Sequence, residues 1–347
     1  MNWKKHLLRS SVPLEYEAAR ILAKRGLSVS ADYPYSRSNG IVEEEGSVDV
    51  RGVATVRLSD RITSFSSLDF LVECKYRERG TTWLFLPKPG GGPAAISDVL
   101  QYVDYFSSKF VHGVPVSLDT RLDHCFAAAE IRDHDRSADE GGKENKSTKS
   151  QLRHGLRQLQ YAVPALIALR ARSMAYRDFE SALPFFFVPI LLTNADLIIA
   201  NVDFGISKVE QSDTPENLGK RVSCLIWSAE LGPDFDIHCQ RHFAIFTAIA
   251  ATTQMKAVEA YRRSVGESAS VLPSRLASRI ASDGKDAIEL AMFSNILVVN
   301  IAAFEEITEK LCAIFEEACA SFKDSPIVRW SQDGKPTFPW SDNLPSV

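Results

Sequence analysis

A short apolar run followed by two charged residues is the feature that most constrains how this 347-residue chain can fold. Residues 70–72 (Phe-Leu-Val) are consecutive apolar residues, as expected of a strand buried on both faces of a sheet. Glu73 and Lys75 follow within the same predicted strand, residues 68–76. Because side chains alternate along a strand, the carboxylate of Glu73 and the ammonium of Lys75 are expected to point to one face.

A second predicted strand, residues 47–57, carries another carboxylate. Its valines alternate with other residues, and Gly52 indicates a bend. If the two strands are neighbours, the carboxylate of Asp49 approaches that of Glu73. Carboxylate oxygens are the ligands that Mg²⁺ prefers, and one or two of them usually hold it together with a substrate phosphate. We therefore predict Asp49 and Glu73 as metal ligands, with Lys75 orienting a nucleophile or stabilising charge.

The first long helix is predicted at residues 13–25, because apolar residues recur at helical spacing and Gly26 follows as a C-cap. Glu15 lies near the start of this helix. It is our first choice for a carboxylate that completes the site or binds a second metal ion through water, and Glu17 is the second choice. The predicted metal ligands are therefore Glu15, Asp49 and Glu73.

These segments together resemble the PD-(D/E)xK nuclease superfamily, in particular its Holliday-junction-resolvase-like and Mrr-like branches. The resemblance rests on the first helix ahead of Gly26, on residues 47–50 (Ser-Val-Asp-Val) and on residues 71–76 (Leu-Val-Glu-Cys-Lys-Tyr). One departure is Val48, which stands where many members have proline. The resemblance covers residues 14–76. It implies an α/β (α+β) protein with a restriction-endonuclease-like mixed central sheet flanked by helices. It also implies phosphodiester hydrolysis that depends on Mg²⁺, with Mn²⁺ as a substitute.

The resemblance further implies a catalytic glutamine. Gln101 and Tyr105 fit the QxxxY pattern that RecB-like members place on the helix after Glu-x-Lys, and residues 95–106 are predicted to be helical. A second candidate, Gln158, lies on a longer predicted helix. The sequence leaves open which helix flanks the site, and Gln101 is our choice.

The chain is predicted to divide into a nuclease-like domain, residues 1–235, and a helix-rich C-terminal region, residues 236–347. Residues 133–150 are almost entirely polar, which predicts a mobile insertion. Further strands are predicted at residues 124–131, 184–193, 195–202, 222–227 and 296–301, and further helices at residues 152–169, 243–263 and 303–322.

Composition excludes several classes of protein. The formal net charge of −4 argues against a globally basic nucleic-acid binder, although it permits a local basic groove. The six cysteines form no CxxC pair, so neither a disulfide framework nor a cysteine zinc site is expected. No apolar stretch reaches the roughly 20 residues of a membrane span, and the first residues lack secretory-signal features. We expect a cytoplasmic protein that does not bind membranes.

Two histidines, His238 and His242, have the spacing that can bind zinc on a helix. No glutamate follows His238 as the HExxH motif requires, so ordinary surface or capping histidines are predicted.

The first functional interpretation is a DNA endonuclease in restriction, repair or phage defence. RNA as a substrate, a homodimer and a partner protein all stay open. The second interpretation is a nuclease-fold module that binds nucleic acid or a partner and cleaves weakly or conditionally.

Overall fold

A computed structural model describes most of the chain. The described residues are 3–38, 40–57, 65–90, 94–103, 112–113, 121–132, 146–175, 184–228, 230–252, 293–323, 329–330 and 336–337, together with Lys256, Glu259, Ala260 and Arg263.

Helices and strands alternate irregularly along the chain. The helices are α1 (Trp3–Arg9), α2 (Val12–Lys24), α3 (Lys146–Ala175), α4 (Ile206–Glu210), α5 (Phe235–Phe243), α6 (Ile245–Ala250) and α7 (Ile301–Lys323). The strands are β1 (Ser28–Ser38), β2 (Glu43–Arg57), β3 (Phe65–Lys75), β4 (Thr81–Pro87), β5 (Ala94–Ala95), β6 (Gln101–Val103), β7 (His112–Gly113), β8 (Arg121–Leu122), β9 (His124–Arg132), β10 (Phe185–Thr193), β11 (Asp196–Ala200), β12 (Gly219–Val222), β13 (Cys224–Ser228), β14 (Asn295–Asn300), β15 (Arg329–Trp330) and β16 (Pro336–Thr337).

One mixed sheet of twelve strands organises the part of the chain that the structure describes. Its order is β1-β2-β3-β10-β14-β13-β9-β4-β11-β12, and β6 pairs with β10 and with β7. The first three strands are antiparallel, whereas β10 runs parallel to both of its long neighbours, β3 and β14. Helices α2, α3 and α7 pack on this sheet. The predicted α/β (α+β) class, a mixed sheet flanked by helices, is confirmed.

The central strands are buried on both faces because each contributes to two hydrophobic cores. Leu71 of β3 and Leu191 of β10 belong to the first core, which includes apolar residues of α3, α5 and α6. Val72 and Ile190 belong to the second core, which includes apolar residues of α2 and α7. The prediction from the apolar run at residues 70–72 is therefore confirmed.

Helix α2 ends where its sequence predicts. Gly26 has φ of +79°, a left-handed conformation in which glycine carries no steric cost, and its N–H donates to the carbonyl of Ala23. Four apolar residues of α2 are buried: Leu14, Ala18, Ile21 and Leu22. This packing places the N-terminal turn of α2, with Glu15, beside the sheet.

Two predictions about individual elements were wrong. Residues 95–106 do not form a helix over their described part, which is a 3-10 turn at Ile96–Asp98 followed by strand β6. The strand forms because Gln101–Val103 adds to β10 rather than packing on the sheet face. Residues 146–150 of the predicted insertion belong to α3, and residues 133–145 lie outside the described residues.

The structure joins residues from both sides of the predicted boundary at 235. Strand β14 lies between β10 and β13 in the sheet, and α7 contributes Phe304, Leu311 and Phe315 to the second core. The ring of Phe315 meets Phe186 of β10 edge-on at 4.9 Å between centroids. No helix in the described ranges is long and apolar enough to cross a membrane.

Candidate active site

The candidate site lies where β2 separates from β3. Pairing between the two strands ends at Val50, and one residue earlier the carboxylate of Asp49 accepts a hydrogen bond from the backbone N–H of Cys74 at 2.7 Å. Val48 belongs to the first core and Val50 to the second, so the usual alternation of side chains is broken at Asp49. The carboxylate of Asp49 is thereby held against the backbone beside Glu73.

Glu73 provides a buried carboxylate with a free oxygen. Its side chain is fully buried, and Oε1 forms an ion pair with Nζ of Lys75. Oε2 is also buried and has no hydrogen-bond partner among the described residues. Burial raises the pKa of Glu73 to about 8; the positive charge of Lys75 opposes this rise and the negative charge of Asp49 adds to it.

Glu15 of α2 shares the electrostatic environment of these residues. Burial raises its pKa to about 7, and the negative charges of Asp49 and Asp32 add to the rise, while Lys75 opposes it. Burial likewise raises the pKa of Asp49. The three predicted carboxylates and the predicted lysine, hereafter the cluster, therefore share one electrostatic environment.

Asp32 is a further acidic residue that the sequence did not reveal. The β1–β2 pairing runs through Ala31 opposite Val50 and Tyr33 opposite Val48, so Asp32 lies across from Asp49. Its φ is +49°, in the left-handed region that aspartate tolerates better than most residues. The available signal was an aspartate close to Tyr33 and Tyr35 in a strand, an element in which aspartate is depleted.

Helix α3 packs against Lys75 and Glu73 at Gly155. A Cβ atom added to Gly155 would lie 2.7 Å from Cε of Lys75 and 3.3 Å from Cγ of Glu73. The neighbouring His154 is exposed, and its pKa is lowered by partial burial and by the positive charge of Lys75. A side chain at this position would displace the end of Lys75, so Gly155 allows α3 to pack directly against Lys75.

The glutamine beside the site is Gln158 rather than Gln101. Nε2 of Gln158 donates to the carbonyl of Ser47 at 2.9 Å, two residues before Asp49. Its Oε1 is buried and has no hydrogen-bond partner in the described part of the chain. Helix α3, which carries the second candidate, is therefore the helix that flanks the cluster.

Gln101 is not brought to the cluster. It pairs with Phe187 of β10, which in turn pairs with Asp69 of β3. Asp69 precedes Glu73 by four positions (73 − 69), or about 13 Å along a strand. The side chain of Gln101 donates to the carbonyl of Asp98 at 3.3 Å. Its predicted partner Tyr105 lies outside the described residues.

A buried ion cluster fixes α3 to the two strands that carry the site. Asp69 is fully buried and accepts hydrogen bonds from Arg51 of β2, the shortest at 2.6 Å, and from Arg170 of α3, the shortest at 2.5 Å. The guanidinium of Arg51 also lies 5.0 Å from the ring centre of Tyr33. One carboxylate therefore joins β2, β3 and α3.

The two histidines considered for zinc bind backbone oxygens instead. Nε2 of His238 donates to the carbonyl of Tyr161, and Nε2 of His242 donates to the carbonyl of Ser36, each at 2.9 Å. The prediction of a surface position was wrong for His238, which is fully buried. These histidines attach α5 to α3 and β1.

The donor atoms of the cluster fit a hard divalent cation. Asp49 and Glu73 offer carboxylate oxygens, and Oε2 of Glu73 is a buried acceptor that a cation would satisfy. Over the described residues, no group of three or more His, Cys, Asp or Glu side chains is placed to hold a metal ion. Independently of that finding, carboxylate oxygens are the donor type that suits Mg²⁺, which keeps several waters and uses one or two carboxylates.

Comparisons of the chain with protein-family models, with curated proteins and with solved structures each found no match.

Proposed function

We propose that this chain is a PD-(D/E)xK-type nuclease that hydrolyses phosphodiester bonds in DNA with Mg²⁺, for which Mn²⁺ can substitute, and that its sheet is a restriction-endonuclease-like fold. The observation that carries the proposal is the cluster of Glu15, Asp49, Glu73 and Lys75 where β2 separates from β3. An endonuclease of this kind suits restriction, repair or phage defence.

Each residue of the cluster has a chemical role in this reaction. Asp49 and Glu73 would hold Mg²⁺, with Glu15 in support. The bound ion supplies Lewis-acid stabilisation of phosphate charge and makes water more acidic. Lys75 places a positive charge beside Glu73, where it can orient the attacking water or stabilise the charge that develops on the phosphate.

Cleavage of circular plasmid DNA in Mg²⁺ tests the proposal. Lys75→Ala and Asp49→Asn are each expected to slow cleavage by roughly 100-fold or more, because each removes charge from the reacting centre. The exposed ion pair of Lys208 and Asp203 provides matched controls, since Lys208→Ala and Asp203→Asn make the same changes away from the cluster. Equal rates for the cluster variants and the controls would refute the assignment.

A binding module with weak or conditional cleavage is the second candidate. It is favoured by the ion pair between Lys75 and Glu73 and by the lack of a three-ligand group among the described residues. Titration calorimetry with Mg²⁺ and Mn²⁺ separates the two. A nuclease should bind the ion and lose it in Asp49→Asn, whereas a module without a functional metal site should give no binding heat in either protein.

A further inference from the structure

A cavity of about 420 Å³ lies along α3, away from the cluster at Lys75. Its walls come from α3, β9 and β13 and the residues that follow β13. Its lining includes Phe126, Ala128, Arg153, Arg157, Trp227 and Glu230. The volume lies within the range of about 300 to 1,000 Å³ that is typical of small-molecule sites. None of these residues belongs to the proposed active site.

The lining of the cavity combines aromatic surface with a donor that lacks an acceptor. The indole Nε1 of Trp227 is buried and has no hydrogen-bond partner among the residues that the structure describes. Phe85 holds this indole edge-on at 5.6 Å between ring centroids. Phe126 keeps 46% of its surface exposed. A flat heteroaromatic ring fits against the aromatic surface of Phe126 and Trp227.

The charged residues at the cavity match the other groups of a nucleotide. Arg153 and Arg157 are exposed and one helical turn apart, so their guanidinium groups can contact phosphate oxygens at the rim. Glu230 is exposed and can accept a hydrogen bond from an exocyclic amine. Base, phosphate and amine therefore each have a counterpart in the lining.

Helical geometry connects the cavity to the candidate active site. At 3.6 residues per turn, Arg153 and Leu156 project to the side of α3 opposite Gly155 and Gln158. His154 and Arg157 lie on the exposed arc between the two sides. A helix with its side chains is about 10 to 12 Å across, and one strand of a duplex rises about 3.4 Å per nucleotide. A strand that crosses this arc thus reaches the cavity within a few nucleotides.

We propose that the cavity binds one base of the DNA strand that is cleaved, a few nucleotides from the cleaved bond, with the base unpaired or turned out of the stack. Arg153 and Arg157 contact the flanking phosphates. The proposal rests on the nuclease function proposed above, because it names a second contact of the same strand.

An oligonucleotide that carries only one base tests this site. The test does not require knowing at which nucleotide the strand sits on the protein. The probe is a fluorescein-labelled abasic DNA strand that carries one base at its centre, and the reference is the same strand with no base. Binding is measured by anisotropy in a Lys75→Ala background, which prevents cleavage. The single base should tighten binding about tenfold, since stacking of a base on aromatic side chains contributes on this order.

Variants of the cavity identify where the base binds. Ala128→Phe fills the cavity and should abolish the tenfold gain. Trp227→Phe, which replaces the indole with a smaller phenyl ring, should reduce it. Arg153→Ala and Arg157→Ala should weaken both probes equally and lower the salt dependence. The control is Arg172→Ala, an exposed arginine on the same helix, 15 residues (172 − 157) or about 22 Å further along, which should retain the full gain.

Thermal melting of each variant shows whether it is folded, and Trp227→Phe keeps the test open if Ala128→Phe does not fold. The proposal would be overturned if the single base tightened binding equally with the unaltered cavity and with the folded cavity variants. A gain with RNA probes but not with DNA probes would overturn the choice of DNA. If the wild type cleaves plasmid DNA but the single base does not tighten binding, only the proposed cavity site is refuted. If the single base tightens binding but the wild type does not cleave, only the proposed nuclease function is refuted.

Discussion

At the scale of single residues, Gly155 links helix packing to the position of Lys75. A methyl group at this position would overlap Cε of Lys75, which is 2.7 Å from the added atom. We expect Gly155→Ala to displace Lys75 and to lower plasmid cleavage by roughly tenfold or more, since small misplacements of catalytic groups are costly. The same change favours the helix by about 0.5 to 1 kcal/mol, because alanine restricts the unfolded chain.

Gly155→Ala should therefore lose activity by more than it loses stability. Cleavage rates and urea unfolding are measured on the same preparation. Gly205→Ala is the control, because an added Cβ at Gly205 meets nothing within 4 Å. A Gly155→Ala protein that cleaves like the control would show that α3 does not set the position of Lys75.

Local sequence was sufficient to predict part of this cluster. Glu73 and Lys75 were predictable from strand alternation, and Asp49 from its place on the preceding strand. Asp32 and Gly155 were not, because their roles depend on pairing with β2 and on the docking of α3. Such contacts arise from tertiary packing, which a pattern of neighbouring residues does not encode.

At the scale of elements, the buried carboxylate of Asp69 joins two strands and a helix. Removing it leaves Arg51 and Arg170 without their shared partner in a largely buried setting. We expect Asp69→Ala to lower the free energy of unfolding by about 3 to 5 kcal/mol, the usual cost of breaking a buried ion pair. Urea unfolding measures the change.

The control for Asp69→Ala is Asp196→Ala, which breaks an ion pair with Arg221 in which both side chains are about half exposed. Its expected cost is under about 1 kcal/mol. Similar losses in the two variants would mean that the Asp69 cluster does not fasten α3.

The docking of α5 should depend on pH through His238. Burial lowers the pKa of His238 from 6.5 to about 4 in the folded protein. Between these values the unfolded chain binds more protons than the folded one, so acidification favours unfolding. The free energy of unfolding should fall between pH 6.5 and pH 4, by up to about 3 kcal/mol from this group, and change little through His238 below pH 4.

Urea unfolding across this pH range is measured for the wild type and for His238→Gln, whose side chain does not titrate. The charge of His242 is coupled to that of His238, so the difference between the two curves reports His238 together with this coupling. The difference should shrink as the pH falls. Parallel curves would exclude His238 as the titrating group.

At the scale of the whole molecule, the sheet does not separate at residue 235. Strand β14 fills the position beside β10, and α7 covers the second core. A fragment of residues 1–235 would expose one side of β10 and the apolar surface beneath α7. We expect it to melt without a cooperative transition and to bind a hydrophobic dye, in contrast to the full chain. A cooperative transition in the fragment, monitored by circular dichroism, would show that the N-terminal part folds alone.

The sequence predicted most long elements but little of their arrangement. Residues 13–25, 184–193 and 303–322 have strong apolar patterns and adopt the predicted helix or strand. The pairing of β10 with β14 could not be predicted, because Ile190 and Leu297 are 107 positions apart (297 − 190). Gln101 shows the same difficulty. The sequence around it has a helical pattern, but residues 101–103 form a strand that pairs with β10.

Strands β1 and β12, at the two ends of the main strand order among the described residues, have a consequence for solubility. Strand β1 carries Pro34, which has no N–H to donate, and Asp32 interrupts its regular backbone. Strand β12 has only four residues, and its Lys220 and Arg221 are exposed. Short, charged or proline-containing edges discourage a strand of another chain from joining. The edges formed by β1 and β12 are therefore expected to resist the addition of a strand from another chain.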